Sequence, residues 1–373
     1  VDGQRGVIIA GADARTLDEF QAGVALITSP GLNISYADSE GNIAWWAAGK
    51  IAVRPPHLDG KTLLDGASGK DELLGLLPFE QNPHLINPDW GYIVTANNMS
   101  TFKPVGGGKL QGYWQPGDRA ARIEQILDEH TAPWTPEEMT AAQFDDVAWA
   151  AGPILETVLP ILETGNAQLS PLARDAREAL ATWDRHCAVD SAGAAVYAVF
   201  CQKTLRDLLL DDIGERGMYM YVTLGDHWTF FKYAIQHPEV PLWDDVTTPS
   251  VETRDQIVLR AFEKTASALE AKMGSTPGRW RWGQVHTIDF RHPFGYLPLV
   301  GDYFNVGPFP CPGGMEIVNN MLYHELDELP FEVVAGPSTR RLIDFGAPEH
   351  SLTVLPTGNS GILSSPHYRD QAA

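Results

Sequence analysis

The chain has 373 residues, a formal net charge of −21, and 44% hydrophobic and 20% charged residues. This composition is typical of a soluble globular protein long enough for two or three domain-sized units. The strong negative charge argues against nucleic acid and anionic membrane surfaces as partners, since both would repel the chain. No apolar run approaches the length of about 18 residues that crosses a bilayer, so we expect no membrane-spanning segment.

The cysteines exclude a disulfide scaffold, because there are only Cys187, Cys201 and Cys311. Cys187 and Cys201 could pair in an oxidising compartment, but we expect two unbridged, partly buried thiols. The chain starts VDGQRG and shows no signal peptide. From these residues we expect either a cytosolic protein or an N-terminus produced by processing.

The first part of the chain, residues 1–130, is predicted to be rich in strands after one early helix. Thr16 and Glu19 form a capping box ahead of apolar residues at helical spacing. Residues 32–46 predict a β-hairpin, because apolar residues alternate on both arms and Asp-Ser-Glu-Gly lies between them. A further helix is predicted from Asp118 to about Glu129.

A pair of amides follows the apolar and aromatic run Trp90–Val94, which predicts a strand. An Asn-Asn pair usually marks a turn, because a short amide tolerates left-handed backbone angles and bonds its own main chain. The alternative is an amide directed at a reaction centre. The residues alone leave both interpretations of Asn97 and Asn98 open.

The middle part, residues 131–277, is predicted to be helical, and residues 278–373 return to short strands and turns. Capping residues at Thr135 and Ser170 precede prolines at the first helical position. Gly274 is placed to end a long helix. This order of strands, helices and strands predicts an α+β fold in which a helical portion is inserted into a sheet-based domain.

Several motifs lack a partner that their chemistry needs. Lys109 follows three glycines, but Leu110 stands where a phosphate-binding loop has Ser or Thr. His324 lacks the second histidine of a zinc-protease helix. His286 lies among aromatic residues and is predicted to be a hydrogen-bonded core histidine rather than a catalytic one. No serine has the Gly-x-Ser-x-Gly context of a nucleophile elbow.

Four stretches together resemble the β chain of the penicillin acylase family, a family of N-terminal-nucleophile amidases. They are residues 33–54, 76–98, 280–295 and 336–371. The resemblance implies the C-terminal part of that β chain and an αββα four-layer sandwich. It also implies hydrolysis of an N-acyl amide bond by the hydroxyl or thiol of an N-terminal Ser, Thr or Cys. The free α-amino group of that residue acts as the base, since an α-amine titrates near pH 8.

The resemblance places Asn97 as the side-chain donor of the oxyanion hole and Asn98 as the turn residue. A neutral carboxamide suits this role because it donates a hydrogen bond without needing to ionise. The role requires that the Asn97 amide face a cleft which another chain's N-terminal residue can enter. An amide directed to solvent would count against it.

The resemblance assigns two further residues. Arg119 corresponds to the arginine that orients the asparagine and the nucleophile's amine, and a nearby cation favours the basic, neutral amine. The alternative is a surface arginine that pairs with Asp118. Leu32 corresponds to a substrate-binding position of the acyl pocket, although a core leucine on a hairpin describes it equally well.

The chain departs from the family pattern at its start, because Val1 has no nucleophilic atom. We therefore expect that this chain alone is inactive and that complementary acylase chains supply the nucleophile. No cofactor is expected: the calcium site that the resemblance implies takes most of its ligands from outside this chain, and Gly106–Gln111 offers no aspartate where a ligand is expected. The family implies a periplasmic or secreted protein. A non-catalytic binding protein that retains the fold is the rival interpretation.

Overall fold

The computed structural model describes residues 13–223, 227–325 and 328–372. The chain forms two compact units, the first comprising residues up to Ala120 together with Ile343–His350. The second comprises Ala121–Leu342 and Ser351–Ala373. It holds the helical part and all the described strands after residue 278. The division at residues 130 and 277 stays a prediction.

The first unit is built on one helix and short antiparallel strands. Thr16 caps the helix as predicted, because its hydroxyl accepts the Glu19 N–H at 3.2 Å. The Glu19 carboxylate bonds the Arg15 N–H at 2.7 Å rather than that of Thr16, so the reciprocal half of the capping box lies one residue earlier. The elements are α1 (Leu17–Val24), β1 (Leu32–Ala37), β2 (Ile43–Ala48), β3 (Ala52–Val53), β4 (Gly75–Leu76) and β5 (His84–Ile86), with sheet orders β1-β2-β5 and β3-β4.

The predicted hairpin is confirmed by the pairing of β1 with β2, in which Ile34 lies opposite Trp46. The Asp38 carboxylate fixes its turn, because Oδ1 accepts the N–H groups of Glu40 and Asn42, each at 2.9 Å. Apolar side chains of β2 then pack against α1. The buried members of this core are Val24, Ile27, Ala44, Trp46 and Ala48.

The strand predicted over Trp90–Val94 is wrong. The chain turns at the start of this run, where the Gly91 N–H donates to the Pro88 carbonyl at 2.9 Å and Gly91 adopts a φ of +82°. The residues that follow run to Asn97 without pairing to another described strand. Trp90 is 57% exposed. An aromatic run predicts a strand only where a neighbouring strand covers it, and here the turn directs Trp90 outward.

The second unit is mainly helical, and its predicted caps are confirmed. The Thr135 hydroxyl accepts the Glu138 N–H while the Glu138 carboxylate accepts the Thr135 N–H. Gly274 ends the last long helix at a φ of +83°. The helices are α2 (Asp118–Glu129, which begins in the first unit), α3 (Pro136–Gln143), α4 (Ala151–Thr164), α5 (Pro171–Ala181), α6 (Ala192–Thr223), α7 (His227–Gln236), α8 (Arg254–Met273) and α9 (Trp282–Val285).

The core of this unit lies between α4, α5, α6, α7 and α8. Phe200 of α6 packs on Phe262 of α8, with a distance of 5.7 Å between the ring centroids, and neither side chain is exposed. α6 breaks at Gly214, whose φ of +65° is not helical. Among the described residues, no helix is both long and apolar enough to cross a bilayer.

Short strands complete the second unit. β6 lies centrally in a sheet of order β7-β6-β9-β8, antiparallel to β7 and parallel to β9. A separate two-stranded sheet pairs Arg340 with Val354. Cys187 and Cys201 are unbridged, as expected, and all three cysteines are fully buried rather than partly buried. The strands are β6 (His286–Phe290), β7 (Val306–Pro310), β8 (Leu322–Tyr323), β9 (Phe331–Ala335), β10 (Arg340–Leu342) and β11 (Leu352–Val354).

Candidate functional site

The Asn97–Asn98 pair forms a turn in the first unit. Asn97 adopts a φ of +62°, the left-handed region that asparagine tolerates better than most residues. The Asn98 Oδ1 accepts the Ala96 N–H at 3.1 Å. The left-handed position is therefore Asn97, whereas Asn98 stabilises the turn through its side chain.

Asn97 is also bound to the start of α2. The Arg119 Nη2 donates to the Asn97 side-chain Oδ1 at 3.0 Å. The Gln115 N–H donates to the Asn97 main-chain oxygen at 2.9 Å. Two bonds from residues 115–119 thus hold both the backbone and the carboxamide of Asn97.

These bonds determine what the carboxamide can do chemically. Arg119 has no acceptor atom, so the group that faces it must be the carbonyl oxygen of Asn97. The two N–H donors of Nδ2 then point elsewhere, and the described residues offer no hydrogen bond to them. Asn97 is exposed in this chain. This exposure does not by itself meet the expectation of an amide inside a cleft, so the oxyanion role stays a prediction.

Leu32 lies on a cavity of the first unit that the Asn97–Arg119 pair does not line. It is 46% exposed and lines a cavity of about 320 Å³. Arg54, Ser100 and Lys109 line the same cavity, whereas Asn97 and Arg119 are not among its lining residues. The structure therefore joins Asn97 to Arg119 directly and places Leu32 on a cavity that its assigned partners do not line.

Sequence reasoning missed how the glycine-rich segment shapes this cavity. Val105 and Gly108 exchange both main-chain hydrogen bonds, at 2.7 and 3.2 Å, around Gly106 and Gly107. Both central glycines have positive φ, as a two-residue hairpin turn requires. The sequence signal for this turn was the Gly106-Gly107 pair, which is typical of a two-residue hairpin turn. The tight turn brings Lys109 to the cavity wall.

The described side chains show no arrangement that fits a metal ion. Among the residues that the structure describes, no three His, Cys, Asp or Glu side chains are grouped closely enough to hold a metal ion. The segment expected to contribute to calcium binding instead presents Lys109 and Gln111, whose Oε1 accepts the Gly60 N–H at 2.7 Å.

His286 is confirmed as a core histidine of the second unit. Its side chain is fully buried, its Nδ1 lies 2.7 Å from the Cys311 carbonyl oxygen, and its Nε2 lies 3.2 Å from that of Met321. Burial lowers the pKa of His286 to about 4, against the opposing effect of the two carbonyl groups. Trp282 stacks on the ring at 4.4 Å between centroids.

Comparison with known proteins supplies the context of this site. The penicillin amidase family model matches residues 7–373. The acyl-homoserine lactone acylase QuiP of Pseudomonas aeruginosa is 26% identical over 395 residues, which cover 96% of this chain and 44% of that protein. The penicillin G acylase of Escherichia coli is 26% identical over 372 residues, which cover 91% of this chain and 41% of that protein. The chain thus spans less than half the length of these relatives.

A solved structure is similar along almost the whole chain. The thermostable penicillin G acylase from Alcaligenes faecalis has a TM-score of 0.65 and 19% sequence identity, and the match covers 99% of this chain and 67% of that one. At this identity the likeness shows the fold alone, which is that of an N-terminal-nucleophile hydrolase. The predicted α+β class and fold are thereby confirmed. With the family model matching nearly every residue, the chain belongs to the penicillin amidase family.

Proposed function

We propose that the chain is the large C-terminal piece of an amidohydrolase that cleaves the amide bond of small N-acylated substrates. Asn97 donates a hydrogen bond from Nδ2 to the oxygen of the scissile carbonyl as negative charge develops there. Arg119 is a positioning residue that fixes the carboxamide. The nucleophile and its α-amine are contributed by a complementary acylase segment or chain outside these residues.

One observation carries this proposal, namely the hydrogen bond of 3.0 Å from the Arg119 Nη2 to the Asn97 Oδ1. An oxyanion donor must be oriented before the reaction. It stabilises the transition state because it needs no reorganisation when the negative charge develops. A carboxamide bound at its oxygen by a guanidinium, and at its backbone by Gln115, is oriented in this way. Its Nδ2 remains available to a substrate.

The exposure of Asn97 is consistent with a site completed by further protein. This chain covers 44% of the P. aeruginosa relative and 67% of the A. faecalis structure. In the proposed assembly, a complementary segment covers the exposed turn and places its N-terminal hydroxyl or thiol beside the substrate carbonyl. We expect the chain alone to lack turnover and to be periplasmic or secreted in its assembled, autocatalytically processed form.

The names of the relatives support a substrate class. The P. aeruginosa and E. coli relatives are named as an acyl-homoserine lactone acylase and a penicillin G acylase. We propose N-acyl homoserine lactones and N-acylated β-lactams as the two substrate classes to assay first. Leu32 is the residue of this chain proposed to contact the acyl group.

The test is turnover by the full-length gene product, with intact mass and N-terminal sequencing of every chain in the sample. We expect two chains, one with an N-terminal Ser, Thr or Cys, and hydrolysis of an N-acyl homoserine lactone or a chromogenic phenylacetyl amide. The purified 373-residue chain should be inactive. Equal turnover by that chain alone would refute a nucleophile supplied from elsewhere.

The alternative is a non-catalytic binding protein that retains the acylase fold. The exposed position of Asn97 is the observation that favours it. It predicts that the full-length product binds an N-acylated compound but hydrolyses neither substrate class, and that no chain carries an N-terminal nucleophile. The two hypotheses therefore give opposite results in the same experiment.

A further inference from the structure

A second cavity, of about 470 Å³, lies within the second unit and plays no part in the proposed hydrolysis. Its volume falls in the range of cavities that hold small ligands. The lining is mostly apolar and includes the side chains of Phe144, Ile288, Phe290, Phe309, Met321 and Val354. One charged side chain, that of Arg340, also lines it.

The guanidinium of Arg340 is firmly held. Its Nη1 donates to the Gln143 carbonyl oxygen at 2.6 Å, and its Nη2 donates to the Asn319 Oδ1 at 2.5 Å. The Phe144 ring covers one face, with 4.2 Å between the Arg340 Cζ and the ring centroid. Two of the five guanidinium N–H donors are thus used by neutral acceptors in the described residues.

The charge of Arg340 has no balancing carboxylate among the side chains that the structure describes. Among the described residues no carboxylate lies within 4.0 Å of its guanidinium, in contrast to Arg122, whose Nη2 lies 2.6 Å from the Asp145 carboxylate. Cys311 also lines the cavity, and burial raises the pKa of its thiol to about 12, so it stays neutral at physiological pH. Burial lowers the pKa of Arg340, which reflects the cost of removing this cation from water.

We propose that this cavity binds a small monocarboxylate with an apolar chain or ring, with the carboxylate on the Arg340 guanidinium and the apolar part against the aromatic and aliphatic lining. Arg340 is one cation without a carboxylate partner in the described part of the chain, so it specifies one negative charge. Arginine presents paired donors that match the geometry of a carboxylate. The proposal does not depend on the proposed hydrolysis, since the cavity lies in the second unit and the Asn97–Arg119 pair in the first.

The test is calorimetric titration of the full chain with octanoate, octan-1-ol and octylamine, which share one apolar chain and differ in head group. We expect octanoate to bind at least tenfold more tightly than octanol, and octylamine not to bind. Octanoate affinity should fall as salt concentration rises. Equal affinity for octanoate and octanol, or no octanoate binding, would overturn the proposal.

Two variants locate the binding. Arg340→Met should reduce octanoate affinity at least tenfold and leave octanol affinity unchanged, whereas Arg340→Lys should retain part of the preference for octanoate. Ser338 lines the cavity and is exposed, so Ser338→Trp should reduce the binding of both compounds without removing the charge. Undiminished octanoate binding by Ser338→Trp would show that octanoate binds elsewhere. The Ser338→Trp result therefore shows whether octanoate binds in this cavity, even if Arg340→Met does not fold.

Discussion

Arg119 binds Asn97 at the carbonyl oxygen of its side chain, with 3.0 Å between Nη2 and Oδ1, and leaves the amide nitrogen directed away from the cation. The main-chain oxygen of Asn97 is bound as well, by the Gln115 N–H at 2.9 Å. A turn asparagine requires only the left-handed backbone that Asn97 has. The hydrogen bond from the Arg119 guanidinium, twenty-two residues later, is an additional constraint. It leads to separate predictions for Asn97 and for Arg119.

Asn97→Asp should reduce kcat of the assembled enzyme by about 10²–10³. Aspartate tolerates the same backbone and still accepts from Arg119, but an oxygen replaces the Nδ2 donor. The free energy of unfolding should be unchanged or raised, because the new carboxylate pairs with the guanidinium. Turnover of an N-acyl homoserine lactone and urea unfolding measure the two effects.

Asn98→Asp is the matched control for that substitution. It adds the same charge one residue away and keeps the oxygen that accepts the Ala96 N–H. We expect its kcat to stay within about threefold of the wild-type value, well short of the effect of losing an oxyanion donor. If Asn97→Asp also stays within that limit, or if both variants are impaired alike, the oxyanion assignment is wrong.

Arg119→Met should lower kcat about 10- to 100-fold, the value of a hydrogen bond from a charged donor, with a smaller effect on KM. The acid limb of the kcat/KM profile should also move to higher pH. A neighbouring cation lowers the pKa of the nucleophile's amine, and its removal lets that pKa rise towards the ordinary value near 8. Arg119→Lys should restore the position of the limb but not the full kcat.

Arg122→Met gives the structural comparison on the same helix. Arg122 pairs with Asp145 at 2.6 Å, so its loss should lower stability. It should leave the pH limb unmoved, because the Asp145 carboxylate already neutralises the Arg122 guanidinium. A limb that moves equally in both variants would show that Arg119 acts only through helix stability.

Local chemistry made parts of this fold predictable from the sequence. The caps at Thr135 and Gly274 and the hairpin around Asp38 depend on residues within a few positions of each other. The strand at Trp90 failed because strand formation depends on a neighbouring strand, and no described strand pairs with this run. The role of Asn97 was predicted from a resemblance. Its hydrogen bond with Arg119 joins residues far apart in the sequence, and the spacing of apolar residues does not indicate such a contact.

The cavity around Arg340 was not predicted for the same reason. Phe144, Phe290 and Val354 each look like ordinary core residues in the sequence, and they meet only when β6, β10 and β11 come together with the end of α3. An arginine without a carboxylate partner is likewise visible only in three dimensions. Sequence reasoning found the core position of His286, because its aromatic surroundings are local.

The buried His286 should make the second unit less stable as pH falls from about 6.5 to about 4. The folded state disfavours the charged ring, so the unfolded chain binds the proton first and stability rises with pH across this window. A pKa difference of this size corresponds to about 3 kcal/mol, at roughly 1.4 kcal/mol per pH unit. Urea unfolding between pH 4 and 7.5 measures it.

His286→Gln separates this contribution from carboxylates that titrate below pH 5. The variant should be less stable at pH 7, since it loses the stacking on Trp282, but its stability should fall less steeply between pH 6.5 and 5. Parallel pH dependences of the two proteins would contradict the assignment. An NMR titration that gives His286 an ordinary pKa would contradict it as well.

Gly193 should not tolerate a side chain, because a Cβ at this position would overlap the side chain of Trp183. Trp183 cannot move away easily: its Nε1 donates to the His186 carbonyl at 2.8 Å, and its ring lies 5.1 Å from that of Tyr197. Gly193→Ala should therefore lower the free energy of unfolding by about 1–3 kcal/mol, the usual cost of overpacking. Gly278→Ala, with nothing within 4 Å of the new methyl group, is the matched control and should be near neutral. Helix propensity alone predicts the opposite sign at Gly193, since alanine is the better helix former, so a stabilised Gly193→Ala would show that packing of Trp183 against α6 does not constrain this helix.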